Sequence, residues 1–220
     1  VNWDPLLLSF EVAAVATVVA TVLGVALATL LASWRFPGRD LIDVIVTTPM
    51  ILPPTVLGYY VLVVLGRRSS LGHAFEALTG GSIVFTRTGA IIAASIGSLP
   101  LIVKAARAAL QGVDPTLVRA AYTLGAGRLR AYFAVRVPLA APGILAGVML
   151  GFARALGDFG VTLMVAGDIP GETQTASLAI YDAIQADRPG EAGGMIAVLS
   201  AFAIATLYLV NKLTSTPHED

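Results

Sequence analysis

The stretch LLLSFEVAAVATVVATVLGVALATLL, Leu6 to Leu31, carries one charge, Glu11. A helix needs about 20 mostly apolar residues to cross a bilayer core, so this run is long enough to span. It is too long for the apolar part of a secretory signal, and Asp4 rather than a basic residue stands before it. The chain is therefore expected to start at its own N-terminus, with a span following almost at once. Four further apolar stretches repeat the pattern: Val44 to Leu65, Ala90 to Ala109, Leu139 to Leu156 and Met195 to Leu213. A sixth, Phe159 to Ala166, is too short to cross alone and reads as a continuation of the fourth span or a re-entrant piece.

Composition agrees. Of 220 residues, 56% are hydrophobic and 13% charged, with 14 basic against 14 acidic residues and no cysteine. Soluble domains carry about 25% charged residues, so this chain cannot wrap a single core in a charged surface. Disorder, a disulfide scaffold, thiolate chemistry and a basic nucleic-acid binder are all excluded. The expectation is an all-α, polytopic membrane bundle of about five transmembrane helices in a lipid bilayer, a single domain over residues 1–220, without internal repeats or nucleic-acid partners.

Basic residues in short loops set orientation. With five spans, Arg35, Arg39, Lys104, Arg107, Arg119, Arg128, Arg130, Arg136 and Lys212 share one side, nine in all, against Arg67, Arg68, Arg87 and Arg188 on the other. The first side is expected to be cytoplasmic, with the N-terminus outside and the C-terminus inside. The long loop Asp168 to Glu191, rich in Asp and Glu, fits the outer side, whereas Arg67 and Arg68 run against the rule.

The longest basic connection reads QGVDPTLVRAAYTLGAGRLRAYFAVRVP, residues 111–138. Asp114 followed by Pro115 is a helix start, an N-cap side chain and then proline at the first helical position. Leu117, Ala120, Ala121 and Leu124 make one apolar stripe. Gly125 and Gly127 end that helix, and Arg128 to Val137 form a second amphipathic stretch with Arg128, Arg130 and Arg136 available to water. Pro138 opens the fourth span. On spacing alone this loop is either a docking element or a plain amphipathic helix on the membrane.

The loop resembles the EAA loop of ABC-importer permeases: EAA, three residues, Gly, nine residues, Ile, any residue, Leu, Pro. The matching residues are Arg119, Ala120, Ala121, Gly125, Val135, Val137 and Pro138, with the spacing kept throughout. Arg119 replaces the Glu, so no salt bridge of that Glu transfers. The resemblance implies a type I ABC-importer permease fold, with Arg119, Ala120, Ala121, Leu124 and Gly125 as the coupling helix that docks on a separate ATPase. Three more segments resemble the molybdate branch of that family: MILPPTVLGYYVLVVLGRR at Met50 to Arg68, ARALGDFGVTLMVAG at Ala153 to Gly167, and IPGETQTASLAIYDAIQ at Ile169 to Gln185. The resemblance thus implies a molybdate permease, or one for tungstate or sulfate. It would work as a homodimer in a prokaryotic inner membrane, with an ATP-binding-cassette dimer inside and an oxyanion-binding protein outside.

Pathway residues are indicated by chemistry the bilayer penalises. Pro53 and Pro54 remove two amide donors, and freed carbonyls at membrane depth need protein or a water-filled cavity. Met50 to Gly58 is therefore a kinked segment lining a cavity, with Thr47, Thr48 and Thr55 offering hydroxyls, or a kink serving helix packing. Arg154 and Asp158 stand four apart, so they share a helical face and can pair. Ionisable residues inside spans are functional candidates, unless both sit at the outer end of the fourth span and merely snorkel or cap. Thr173 to Gln185 reads as a short outer helix, with Ile180, Ala183 and Ile184 on one face, touching a binding protein or packing on the spans.

No GxxxxGK[ST] and no HExxH string occurs. His73 and His218 lie in a loop and the tail. A non-catalytic subunit without cofactor or metal is expected. An ion-coupled secondary transporter is a second reading, although such proteins often show inverted repeats; a membrane-embedded enzyme is a third.

Overall fold

Small residues mark the inward face of the first helix, α1 (Trp3–Ser33): Ala13, Ala16, Ala20, Gly24 and Ala28 are all buried. That stripe lets the backbone of α5 (Arg87–Gly112) come close enough for the Ser95 hydroxyl to reach the Ala16 carbonyl at 3.3 Å. Close backbone approach through small residues is how helices pack where lipid removes the hydrophobic drive between them. The opposite face of α1 leaves Leu7, Val15, Val18, Val22 and Leu23 uncovered, as lipid-facing residues would be.

The computed structural model describes residues 2–34 and 36–214, and all regular structure among them is helical. Between α1 and α5 come α2 (Arg39–Ile51), α3 (Pro54–Leu65) and α4 (Ser70–Thr79). After α5 come α6 (Pro115–Thr123), α7 (Arg128–Ala131), one π-helical turn (Tyr132–Arg136), α8 (Val137–Leu156), α9 (Gly160–Ala166), α10 (Ala176–Gln185) and α11 (Pro189–Thr214). Four helical stretches are long and apolar enough to cross a membrane: Trp3–Ser33, Arg87–Gly112, Arg128–Leu156 and Pro189–Thr214. A fifth crossing exists only if α2 and α3 are taken together, and their axes meet at 118°. Pro53 caps α3, and Pro54 takes its first position, where the missing amide costs nothing.

The central helix is α5, which packs on both α1 and α8, and these two also touch each other. α8 meets α5 through glycines four residues apart. A Cβ on Gly143 would lie 2.7 Å from the Ala109 Cβ, and one on Gly147 would lie 2.5 Å from the Ala105 Cβ. One on Gly151 would sit 2.6 Å from Ile102. The spacing Gly143-x3-Gly147-x3-Gly151 is a packing stripe that hydropathy does not reveal. Phe10, Phe152 and Phe202 close α1, α8 and α11 around one aromatic cluster, two of its pairs at 5.4 Å between centroids.

The two ends of the bundle are distinct. At one end Ser9 accepts the Ala176 amide at 2.7 Å, Leu6 packs with Ala176 and Met195, and Arg87 pairs with Glu11 at 3.6 Å. At the other, the loop end, Ser33, Leu110 and Arg136 meet. Arg35 and His218 lie outside the described residues.

Three boundaries differ from expectation. The helix that carries the fourth span begins at Arg128 and not at Leu139, because α7, the π turn and α8 run on as one helix through Pro138. Pro138 therefore does not open that helix; it lies inside it, two residues after the π turn. Of the two readings of the short run after Gly157, continuation of α8 is overturned: it is a separate helix, α9, packed against α3 and α5. Finally, α10 turns Ala176, Leu178, Ala179 and Ala183 inward. The expected Ile180, Ala183, Ile184 face is thus divided, with Ala183 buried and Ile184 exposed.

Candidate functional site: a charged junction in the bundle and an exposed loop at its end

The junction forms where α3, α5, α8 and α9 meet. Arg154 Nη1 donates to Asp158 Oδ1 at 2.9 Å. The pairing foreseen from the i, i+4 spacing is present, but not on one helical face: α8 ends at Leu156, and Asp158 stands in the break before α9. Its second oxygen, Oδ2, accepts the Thr162 amide at 3.0 Å and the Thr162 hydroxyl at 2.7 Å. The carboxylate thus caps α9, and Thr162, four residues on, is a partner that sequence reasoning missed. Asp158-x3-Thr162 after Gly157 was the available signal.

Arg154 lies in the last turn of α8, so the pair stands at the C-terminal end of that helix, where the chain breaks before α9. Arg154 lies against Gly97, whose Cβ would stand 3.6 Å from Nη2. Gly97 is the eleventh residue of α5, so at 1.5 Å per residue the pair sits roughly 15 Å in from the helix start. α8 stops at Leu156 beside this part of α5, and that is what places Arg154 at this depth. The Asp158 side chain is 2% exposed and that of Arg154 35%.

Arg154 lines two cavities. One of about 520 Å³ is lined by Pro54, Thr55, Arg154, Asp158 and Phe159. The other, about 300 Å³, is lined by Pro49, Met50, Gly97, Leu101 and Arg154. The double-proline break thus lines a cavity. Gly58 and Gly160 let α3 and α9 cross tightly: their Cβ atoms would stand 2.7 Å from Met164 and from Pro54.

Thr47 and Thr48 are not part of this junction. Their hydroxyls return to the carbonyls of Asp43 and Val44 at 2.7 Å, four residues back in α2. Close by, Asp43 gathers Lys104 at 3.2 Å and Arg107 at 3.0 Å. That triad ties α2, which buries no residue, to α5.

The loop at the far end is built as its residues dictate. Asp114 Oδ1 accepts the Thr116 amide at 2.8 Å, and this hydrogen bond holds its carboxyl below the usual range. α6 buries nothing, and Leu124 is 88% exposed. At its end the amides of Gly125 and Ala126 return to the carbonyls of Tyr122 and Ala121, both at 3.0 Å, and Gly125 takes φ +83°. That is the Schellman arrangement, which favours glycine at the left-handed position.

Arg136, expected to face water, does not. Its Nε donates to Leu110 O at 3.0 Å and its Nη1 to Ser33 Oγ at 3.1 Å. One helical turn earlier the Tyr132 hydroxyl is hydrogen-bonded to Thr29 Oγ1. Both ends of the π turn are thereby fastened to α1 and α5, while α6 packs on the π turn and α7.

A bundle of apolar helices, broken at a buried charge pair and carrying an exposed helix–glycine–helix loop at one end, defines a membrane permease. The chain belongs to the family described as binding-protein-dependent transport system inner membrane component, which it matches over residues 20–214. It is 42% identical to the molybdenum transport system permease protein ModB of Escherichia coli, across 95% of this chain and 91% of that one. The sulfate transport system permease protein CysT of Salmonella typhimurium is more distant, at 32% identity over 91% of this chain and 72% of the relative. Among solved structures, a bacterial ABC transporter involved in the import of the acidic polysaccharide alginate superposes with a TM-score of 0.75 at 15% identity, covering 96% of this chain and 79% of that one.

Proposed function

We propose that this chain is the permease subunit of an ATP-driven importer for molybdate. Two copies form the pathway between them, with ATPase subunits docked on α6 from the cytoplasm and an oxyanion-binding protein outside. The N-terminus is then external and the C-terminus cytoplasmic. The observation that carries the reading is the loop: α6 buries none of its own residues, yet the helix after it runs without a break from Arg128 to Arg154. Displacement of α6 by an ATPase is thus carried along one rigid element to the charged junction. The residues assigned to docking are Arg119, Ala120, Ala121, Leu124 and Gly125. Those assigned to the pathway are Pro53, Pro54, Thr55, Arg154 and Asp158, and Thr47 belongs with the α2 triad instead.

The test is uptake of labelled molybdate into vesicles holding the permease and the ATPase that co-purifies with it. Uptake should require ATP and should cease in Gly125→Trp, which strains a left-handed position and puts bulk on the docking surface, while the permease still inserts. Uptake that persists without ATP would instead mark an ion-coupled transporter. Competition by tungstate and sulfate, measured on the binding protein, assigns the anion within the class.

A further inference from the structure

Arg154 and Asp158 form an ion pair inside the bundle, where ionisable residues are candidates for function. We infer that Arg154 is the oxyanion's contact midway along the pathway and that Asp158 is its exchangeable counter-ion, a role that rests on the permease reading. The two partners are held very differently. Asp158 is sealed in, and its second oxygen keeps two donors from Thr162 whether or not Arg154 is there. Arg154 is a third exposed and gives Asp158 a single bond from Nη1, out of the five N–H groups a guanidinium carries. The carboxylate is fixed and the arginine is the mobile member.

The position suits a waypoint. Arg154 lines both the open cavity of about 520 Å³ and the one of about 300 Å³, so it is shared by the two. Each is far larger than the roughly 15 Å³ that a single water needs, so both can admit hydrated ions. The break at Pro53 and Pro54 keeps the α3 side open, and Gly97 presents bare backbone on the α5 side.

The chemistry suits transit and not storage. A lone buried arginine would hold a dianion tightly and stop turnover, since conduction needs a site weak enough to leave. Here an arriving dianion takes Arg154 from a monoanionic carboxylate, and that carboxylate reclaims it when the chamber opens to the other side. No covalent bond and no proton transfer is involved.

The experiment uses the complex of permease, ATPase and binding protein in vesicles, with molybdate as the probe. If the unaltered complex shows no ATP-driven uptake, the permease reading fails and this inference falls with it. If it transports, the doubly neutral variant Arg154→Gln/Asp158→Asn removes both charges without leaving either unpaired. Its uptake is expected to drop at least tenfold while the complex elutes intact; undiminished uptake overturns the inference and leaves the permease reading standing. Asp158→Asn alone should bind molybdate more tightly, without the binding protein, and turn over more slowly; weaker binding overturns the exchange. Should the double variant not assemble, the absence of native cysteine permits Thr55→Cys as a reporter. Millimolar molybdate should slow its labelling by a thiol reagent several-fold, whereas equal chloride should not; no protection overturns the proposal.

Discussion

Gly147 shows how little slack a single position in this bundle has. A side-chain carbon there would be driven to 2.5 Å from Ala105, whereas one on Gly112 would meet nothing within 4 Å. Gly147→Val should therefore lower stability by about 1–3 kcal/mol, the usual cost of overpacking. Gly112→Ala should stay within about 0.5 kcal/mol. Thermal denaturation in detergent checks both. Asp168, in the loop after α9, is a second such position. Burial first, and then the neighbouring Asp182 carboxyl, push its pKa above the usual 3.8, and its Oδ1 is buried without a partner. The folded state thus holds the proton more firmly than the unfolded one, so Asp168 costs stability above its folded pKa, and that cost fades as the pH falls toward the usual value. Asp168→Asn should raise the thermal midpoint at pH 7, and the gain should shrink as the medium is acidified towards pH 4. The pairing of Arg154 with Asp158 was expected from their spacing of four, although it forms across the end of α8 and not along one helical face. Its depth was not legible, because depth depends on where α8 stops beside α5, and hydropathy does not mark that end.

Among the elements, the π turn at Tyr132–Arg136 joins the loop to the bundle. π turns inside α-helices recur at functional sites, and this one is held by Arg136 on Leu110 and Ser33 and by Tyr132 on Thr29. Arg136→Ala should loosen that grip without disturbing α6, which makes its own caps. The ATP hydrolysed per molybdate imported should then rise several-fold while the ATPase stays bound, a ratio measurable in the same vesicles. Asp114, Pro115 and Gly125 made α6 legible, because caps and left-handed turns are local chemistry. The role of Arg136 was not, since a basic residue on a polar helix face looks water-bound until the ends of α1 and α5 are placed beside it. The double proline announced a break but not its angle, which is set by the packing of α3 on α9 through Gly58 and Gly160.

For the whole molecule, the balanced net charge conceals a sorted one. At the end where α1 begins, Arg87 leans on Glu11, Arg188 on Glu191 and Arg67 on Glu76. At the loop end Arg119, Arg128 and Arg130 stand exposed on and around α6. A single copy leaves Leu139, Leu145, Ile204 and Leu207 uncovered, among many other apolar side chains. Mass spectrometry of the complex released from membranes should give two permeases with two ATPases, and one permease per ATPase pair would refute the two-fold pathway. The neutral charge pair also has an electrical meaning. Against an interior-negative potential of 100 mV, bringing in a dianion costs about 4.6 kcal/mol, at about 2.3 for each charge. Arg154 and Asp158 together contribute no fixed charge to offset that. A passage open at both ends at once would therefore drain the cell of the anion, and inward movement has to be driven by a conformational cycle.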